Sequence, residues 1–383
     1  MTAPSNPIRA RGGIKRSWGP WTEIKLDALS KYLHAFTVAC SGKAPRTLYL
    51  DLFAGAAENV SRTTGLDVWG SALRALQTSP PFSKLLFSEL HAGKANTLET
   101  QLRQQFPGRD LEVLSGDCNL VIPLRLAEMS RHDPGWRRTP GFAFIDQLSA
   151  EIHWDTLRFL ADYRESSKGW RTELWLYFGD SFLPRGLATS SPDGQARYAS
   201  RVDRMFGTEE WQEIHEGRAQ GLLTGSEAKD EFVNLMRWRL EKVLGYNRTL
   251  PLKMARPDGQ GLYTMIFATN HDVGEQIMQS VLAGAEVEQQ QLIRATKTRR
   301  ALVRADRKTA SEAFPGFDEL LVSGNSANDG AAQLLRLDHP VPPWRFPRRG
   351  YLTTRSSLSP ASRSRVVHRG PARVPWGCGR PTA

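Results

Sequence analysis

From Leu26 onward apolar residues recur at Leu26, Leu29, Leu33 and Phe36, with Tyr32 beside them, which is the spacing of one buried helix face. The period then shortens. TLYLDLFAG (residues 47–55) is apolar and β-rich until it closes on aspartate and glycine, as a buried strand entering a turn does. Four further runs share this form: KLLFSEL (84–90), LEVLSGD (111–117), GFAFID (141–146) and ELWLYFG (173–179). Helical spacing separates them, through Ala95, Leu98, Leu102 and Phe106 to a stop at Pro107-Gly108, then from about Leu120, then across Leu157 and Leu160. Helical patterns also cover 196–219 and 227–244. Two β-runs, TLPLKMA (249–255) and GLYTMIFATN (261–270), flank a turn-rich segment so short that the strands must be antiparallel.

Strands that are apolar on both faces and alternate with helices predict an α/β domain around a doubly wound, mostly parallel sheet. A terminal antiparallel hairpin sets this sheet apart from that of ordinary dehydrogenases. Order is expected from about Trp18. The predicted organisation is a basic, disordered stretch over 1–17, a Rossmann-like domain over 18–290, a helical extension over 291–330, and an Arg/Pro/Ser-rich disordered tail over 331–383.

Charge changes this picture less than its total suggests. The 383 residues carry a net charge of +11, but residues 331–383 hold ten arginines against the single acid Asp338, and residues 1–16 add four basic residues. The central stretch has 37 basic and 39 acidic residues, so the basicity belongs to the ends. The tail reads either as an arginine-rich arm that touches nucleic acid or as a solvated, incidental segment; the lack of interleaved aromatics favours the second. The basic segment 297–308 reads as a solvated helix face, with contact to phosphate or an acidic partner as its alternative. Three cysteines, Cys40, Cys118 and Cys378, are too few and too scattered for a disulfide framework, and a cytoplasmic location is the expectation. No long apolar run suggests a membrane span, and the N-terminus lacks the apolar core of a signal peptide. No histidine pairs with another histidine or a cysteine at metal-ligand spacing, and neither GxSxG nor GxxxxGK[ST] occurs. Trp154, Trp175 and Trp238 are expected in the core; Trp18, Trp21 and Trp69 are marginal stacking platforms.

Candidate chemistry gathers where strands end, since ligands of open α/β sheets bind outside the carboxyl ends of the strands. Those ends carry Asp51 with Phe53 and Gly55, then Glu89, Asp117 and Asp146. Asp51 and Phe53 border the first turn, and Gly55 lets the chain turn and a ligand approach. Glu89 suits a ribose diol, and Asp117 an exocyclic amine. Carboxylates in these places favour a ligand with hydroxyls and amines over one held by its pyrophosphate, which points to S-adenosylmethionine more than to NAD. The alternative is that these residues are turn formers and helix N-caps only.

TLYLDLFAG, GSALRAL (70–76), SEL, GDCN and the FID strand resemble the methyltransferase-like three-Cys-motif partner proteins. The resemblance continues through WTEIKLDALSKYLHAF (21–36), RVDRMFGTEEW (201–211), LEKVLGY (240–246) and LYTMIFATNHDVGEQIM (262–278), and so covers about 18–285. It implies a Rossmann-like S-adenosylmethionine methyltransferase fold and a partner with a three-cysteine motif that resembles radical S-adenosylmethionine enzymes. Two positions depart from the family. Ala57 stands where members carry a second glycine. Asp146-Gln147-Leu148-Ser149 replaces an aspartate-proline-tyrosine-glycine motif that would shape and stack a planar acceptor. Asp146 is the expected catalytic residue on the acceptor side. Three functions remain open: a methyltransferase, a non-catalytic docking partner with a vestigial pocket, and a nucleic-acid methyltransferase or binder.

Overall fold

The computed structural model describes residues 17–313 apart from 182, 189 and 190, with side-chain surroundings given as far as residue 305. Of the stretch 1–17 expected to be disordered, only Ser17 is described, and it is paired with Val60 in a short strand; residues 1–16, the last part of the helical extension and the whole 331–383 tail lie outside the described residues.

Seven strands form the main sheet: β1 (Leu48–Asp51), β2 (Lys84–Glu89), β3 (Leu111–Ser115), β4 (Gly141–Ile145), β5 (Glu173–Phe178), β6 (Arg248–Ala255) and β7 (Gly261–Thr269). Their order is β3-β2-β1-β4-β5-β7-β6. The first five are parallel, with Asp51 opposite Phe87 of β2 and Phe144 of β4. β7 enters antiparallel against β5, with Met265 opposite Tyr177, and turns back along β6. A parallel sheet whose order reverses beside β1 and whose last hairpin runs antiparallel is the Rossmann-like methyltransferase arrangement.

Ten α-helices accompany this sheet in the described part: α1 (Pro20–Cys40), α2 (Ser71–Leu76), α3 (Ala92–Gln105), α4 (Cys118–His132), α5 (Trp154–Tyr163), α6 (Leu183–Leu187), α7 (Pro192–Phe206), α8 (Trp211–Ala219), α9 (Gly225–Lys242) and α10 (Asp272–Ala313). α1, α2, α3 and α10 bury one sheet face, where Leu29, Tyr32 and Leu33 meet Tyr49, Phe142, Trp175 and Phe267. Tyr32 sits 5.3 Å from Phe142 and 5.0 Å from Phe267 between ring centroids, so α1 lies across the middle of the sheet. α7 packs on the other face, where Phe206 meets Phe178 edge-on at 5.7 Å. In β1, β2, β4 and β5 the side chains on both faces are buried, which is why these strands read as apolar runs, whereas the edge strand β3 is mostly half-buried.

Three features differ from the sequence pattern. Residues 196–219 form two helices, because Gly207 takes a left-handed conformation (φ 64°) and closes α7 with its amide on the Asp203 carbonyl. α10 runs unbroken through residue 290, so the last core helix and the start of the extension are one element. A small second sheet pairs Ser17–Trp18 with Glu58–Ser61, and Glu58–Ser61 with Asp67–Trp69, strands too short to leave a pattern. At the amino end of β5 the buried Glu173 accepts from Tyr32 at 2.5 Å and Thr269 at 2.7 Å. The first turn of α10 comes so close that a Cβ on Gly274 would lie 2.2 Å from Glu173 Oε1. Burial raises this carboxyl to about 6.

Candidate active site

Parallel strands leave their carboxyl ends along one edge, and the chain places Asp51, Glu89, Asp117 and Asp146 there in strand order. Three of them share one local device. Asp51 Oδ1 accepts the amide of Phe53 at 3.2 Å, Glu89 Oε1 that of His91 at 3.1 Å, and Asp117 Oδ1 that of Asn119 at 2.9 Å. Each carboxylate thus holds its own turn through the amide two residues on. Turn-forming is therefore a real part of what these residues do. They differ in what is left over: Asp51 is 0 % exposed, Glu89 is half-buried and Asp117 exposed.

Asp51 cannot reach a ligand directly as it stands. Tyr49 donates to its second oxygen at 3.4 Å. Burial lifts its carboxyl from 3.8 to about 7; hydrogen bonds from Ser71 and the Phe53 amide pull it back, and the charge of Asp146 pushes it further up. Its place is to shape the turn 52–55. There Gly55 has φ 63°, a conformation costly for any other residue, and an added Cβ would meet only the Phe53 carbonyl, at 3.9 Å. Phe53 is half-buried beside it. Ala57 is buried in the core beneath this turn, and its carbonyl accepts the Gly70 amide at 2.7 Å. Asp117 opens α4 as its N-cap, and the next residue, Cys118, is a buried thiol that burial, first, and the Asp117 charge push up to about 12. It is therefore protonated and unreactive.

The acceptor side holds what the sequence did not reveal. Asp146 Oδ2 is salt-bridged to Lys25 of α1, a residue only 4 % exposed. The Lys25 Nζ also lies 5.9 Å from the centroid of Phe144 and 5.6 Å from that of Tyr263. Tyr263 packs on Tyr177 at 4.4 Å between centroids, and its buried hydroxyl has no hydrogen-bond partner. Burial raises both phenols, the charge of Asp146 pushes both further up, and that of Asp180 adds to the rise at Tyr177, so both keep their protons. Tyr198 of α7 meets Ser149 at 2.8 Å. Aromatic faces on this side thus come from β4, β5, β7 and α7, not from the loop after β4.

Gln147 has a structural task. Its amide donates to the Tyr177 carbonyl at 3.1 Å, and its oxygen accepts the amides of Glu151 and Ile152, each at 2.8 Å. Glu151 pairs with Arg201 at 2.8 Å, fastening the same loop to α7. Asn119, also missed, bonds the carbonyl of Glu151 at 2.9 Å and the amide of His153 at 2.8 Å, tying the α4 turn to the loop after β4. Leu148, between these anchors, is 77 % exposed.

Elsewhere Trp154 and Trp175 are core residues, Trp238 is half-buried, and Trp69 is exposed. Lys297, Arg299, Arg300 and Arg304 stand exposed on the far part of α10. Two surface hollows, of about 450 Å³ by Arg137, Arg158 and Tyr163 and about 380 Å³ by Asp27, Trp69 and Arg74, lie away from the strand ends. Both are open and edged by charged side chains, unlike the largely apolar lining of a small-molecule site. Among the described residues no group of three His, Cys, Asp or Glu side chains could hold a metal, and no helix is long and apolar enough to cross a membrane.

No protein-family model and no curated protein matches the sequence. Among solved structures, protein LPL1258 from Legionella pneumophila, of family DUF519, aligns at 10 % identity over 68 % of this chain and 90 % of its own, with a TM-score of 0.39. The O-methyltransferase from Bacillus cereus in complex with SAH aligns at 11 % identity over 65 % and 90 %, with a TM-score of 0.34. The plantazolicin methyltransferase BpumL in complex with SAH aligns at 9 % over 65 % and 86 %, with a TM-score of 0.33. At scores this low the fold stands on its own strand order.

Proposed function

We propose that the sheet edge at the carboxyl ends of β1, β2 and β3 binds S-adenosylmethionine, and that Asp146 marks the acceptor side of the same edge. The observation that carries this reading is the ordered set of strand-end carboxylates beside the point where the strand order reverses. The donor set fits the ligand. Half-buried Glu89 spends one oxygen on its turn and keeps Oε2 for a ribose diol; exposed Asp117 likewise keeps Oδ2 for an amine. Gly55 leaves the backbone open to close approach, with enclosed Asp51 holding the turn behind it. When bound, the ligand supplies an electrophilic methyl group. The chain's own residues orient it, exclude water through the aromatic wall around Asp146, and give a proton from the acceptor a carboxylate to go to. The family resemblance extends the proposal to a three-cysteine-motif partner.

Calorimetry with S-adenosylmethionine tests this reading. Wild type is expected to give a binding isotherm, and Glu89→Ala, folded by its thermal melt, to bind about tenfold or more weakly. No heat in wild type ends the cofactor reading.

A second reading, a docking partner that does no chemistry, has its own support. Lys25 already engages Asp146, and Gln147 is committed to holding its loop. Copurification with the three-cysteine protein that survives both Glu89→Ala and Asp146→Ala, without any methyl transfer, would favour it.

A further inference from the structure

Lys25 sits in phase with Leu29, Tyr32 and Phe36 on the buried face of α1, where the packing alone would be served by an apolar residue. Burying an ammonium is costly unless it is paired. Here it is paired with the acceptor-side carboxylate itself, Asp146, and flanked by the rings of Phe144 and Tyr263. These are the needs of methyl transfer to nitrogen: a carboxylate to take a proton, aromatic faces to stabilise positive charge as it moves onto the nitrogen, and the exclusion of water. The position is right as well. Asp146 lies two residues beyond Phe144, which stands opposite Asp51 across the β1–β4 pair. Tyr263, whose ring centroid lies 5.6 Å from the same nitrogen, also carries a buried hydroxyl without a hydrogen-bond partner, a second polar group left open on this side of the sheet.

We propose that Lys25 is itself a methyl acceptor, so that the chain modifies its own first helix; this rests on the reading that the strand-end edge of the sheet binds S-adenosylmethionine. The Lys25 ammonium passes a proton to Asp146, and the neutral Nζ attacks the methyl carbon. The N–C bond forms as the C–S bond breaks, and its electron pair stays on sulfur, leaving S-adenosylhomocysteine. The Asp146 proton then leaves to solvent. The methylated nitrogen is again cationic and keeps its pairing with Asp146, so the modification leaves α1 anchored.

The test is mass spectrometry of the full chain, first as purified and then after incubation with S-adenosylmethionine bearing a deuterated methyl group, beside calorimetry with the same ligand. One methyl group on the peptide containing Lys25, in either sample, is the expected result. Lys25→Arg is expected to lose that mark while keeping the binding heat. Asp146→Asn is expected to bind the ligand but label Lys25 about 100-fold more slowly or worse. Binding heat with Lys25 unmodified in both samples overturns the proposal and leaves the cofactor reading standing. Label spread equally to the exposed Lys31 of the same helix also overturns it. No heat and no methyl group overturn both.

Discussion

The carboxyl of Asp51 offers a test of the site's electrostatics that needs no ligand. It is 0 % exposed, and burial lifts it from 3.8 to about 7. An acid whose pKa is raised by folding binds its proton more tightly in the folded chain, so its contribution is greatest at low pH and is lost as pH rises from the unfolded value to the folded one. Each pH unit of that interval is worth about 1.4 kcal/mol, giving about 4 kcal/mol in all, of which roughly 2–3 kcal/mol falls between about pH 5 and about pH 8. Asp51→Asn keeps the size and removes the charge. Its amide nitrogen cannot accept, so one of the donors now satisfied, the Phe53 amide or the hydroxyls of Tyr49 and Ser71, loses its partner at a cost of about 1–2 kcal/mol at every pH.

The two effects nearly cancel at about pH 5, where the variant should match wild type. At about pH 8 the variant should be the more stable by roughly 2 kcal/mol. Urea unfolding at both pH values, followed by the fluorescence of the buried tryptophans, measures the difference. The raised carboxyl of Glu173 titrates in both proteins and drops out of the comparison. A stability difference that is the same at both pH values would refute the reasoning, because the charge on Asp51 would then cost the folded chain nothing.

Three further outcomes follow from contacts on the page. Gly207→Ala should destabilise by several kcal/mol, about 1 from the left-handed backbone and more from a Cβ that would lie 2.4 Å from the Trp154 ring; a fall in Tm many degrees larger than that of Gly55→Ala, whose Cβ meets open space, checks it. Asn119→Ala removes bonds to the Glu151 carbonyl, the His153 amide and Thr156, and should cost about 2–3 kcal/mol by urea unfolding. Gln147→Pro should destabilise by about 3 kcal/mol or more, since the Tyr177 carbonyl and two loop amides lose their side-chain partner; an unchanged Tm would contradict the role given to Gln147.

The sheet was legible in the sequence because four of the five parallel strands are buried on both faces and so write apolar runs, while the edge strand β3 is only partly covered and still sets Leu111 and Val113 beside polar residues. The break between α7 and α8 was not, since Val202, Phe206, Trp211 and Ile214 are all buried and the apolar pattern carries across Gly207. At the site, strand-end carboxylates could be found by position alone, but their exposure could not: Asp51 and Glu89 stand at equivalent strand ends, and only the packing of Tyr49, Ser71 and the turn encloses the first. Lys25 had a signal that went unused, a lysine in phase with Leu29, Tyr32 and Phe36. Tyr177 and Tyr263 had none. Their stacking depends on the register that sets Met265 opposite Tyr177, which brings Tyr263 onto the same face two residues along.

That register bears on what surrounds Asp146. By sequence, glutamine and leucine at positions 147 and 148 offer neither a rigid turn nor an aromatic face for a planar acceptor. In the folded chain Gln147 rebuilds the shape by bonding across its own loop, and Phe144, Tyr177 and Tyr263 enclose the Asp146 side with aromatic surface from the sheet. Faces fixed on strands are less adjustable than one carried on a loop, and the space between them is already taken by the Lys25 chain. What already meets Asp146 between these rings is a slender amine, the Lys25 side chain, and not a flat ring laid against an aromatic face.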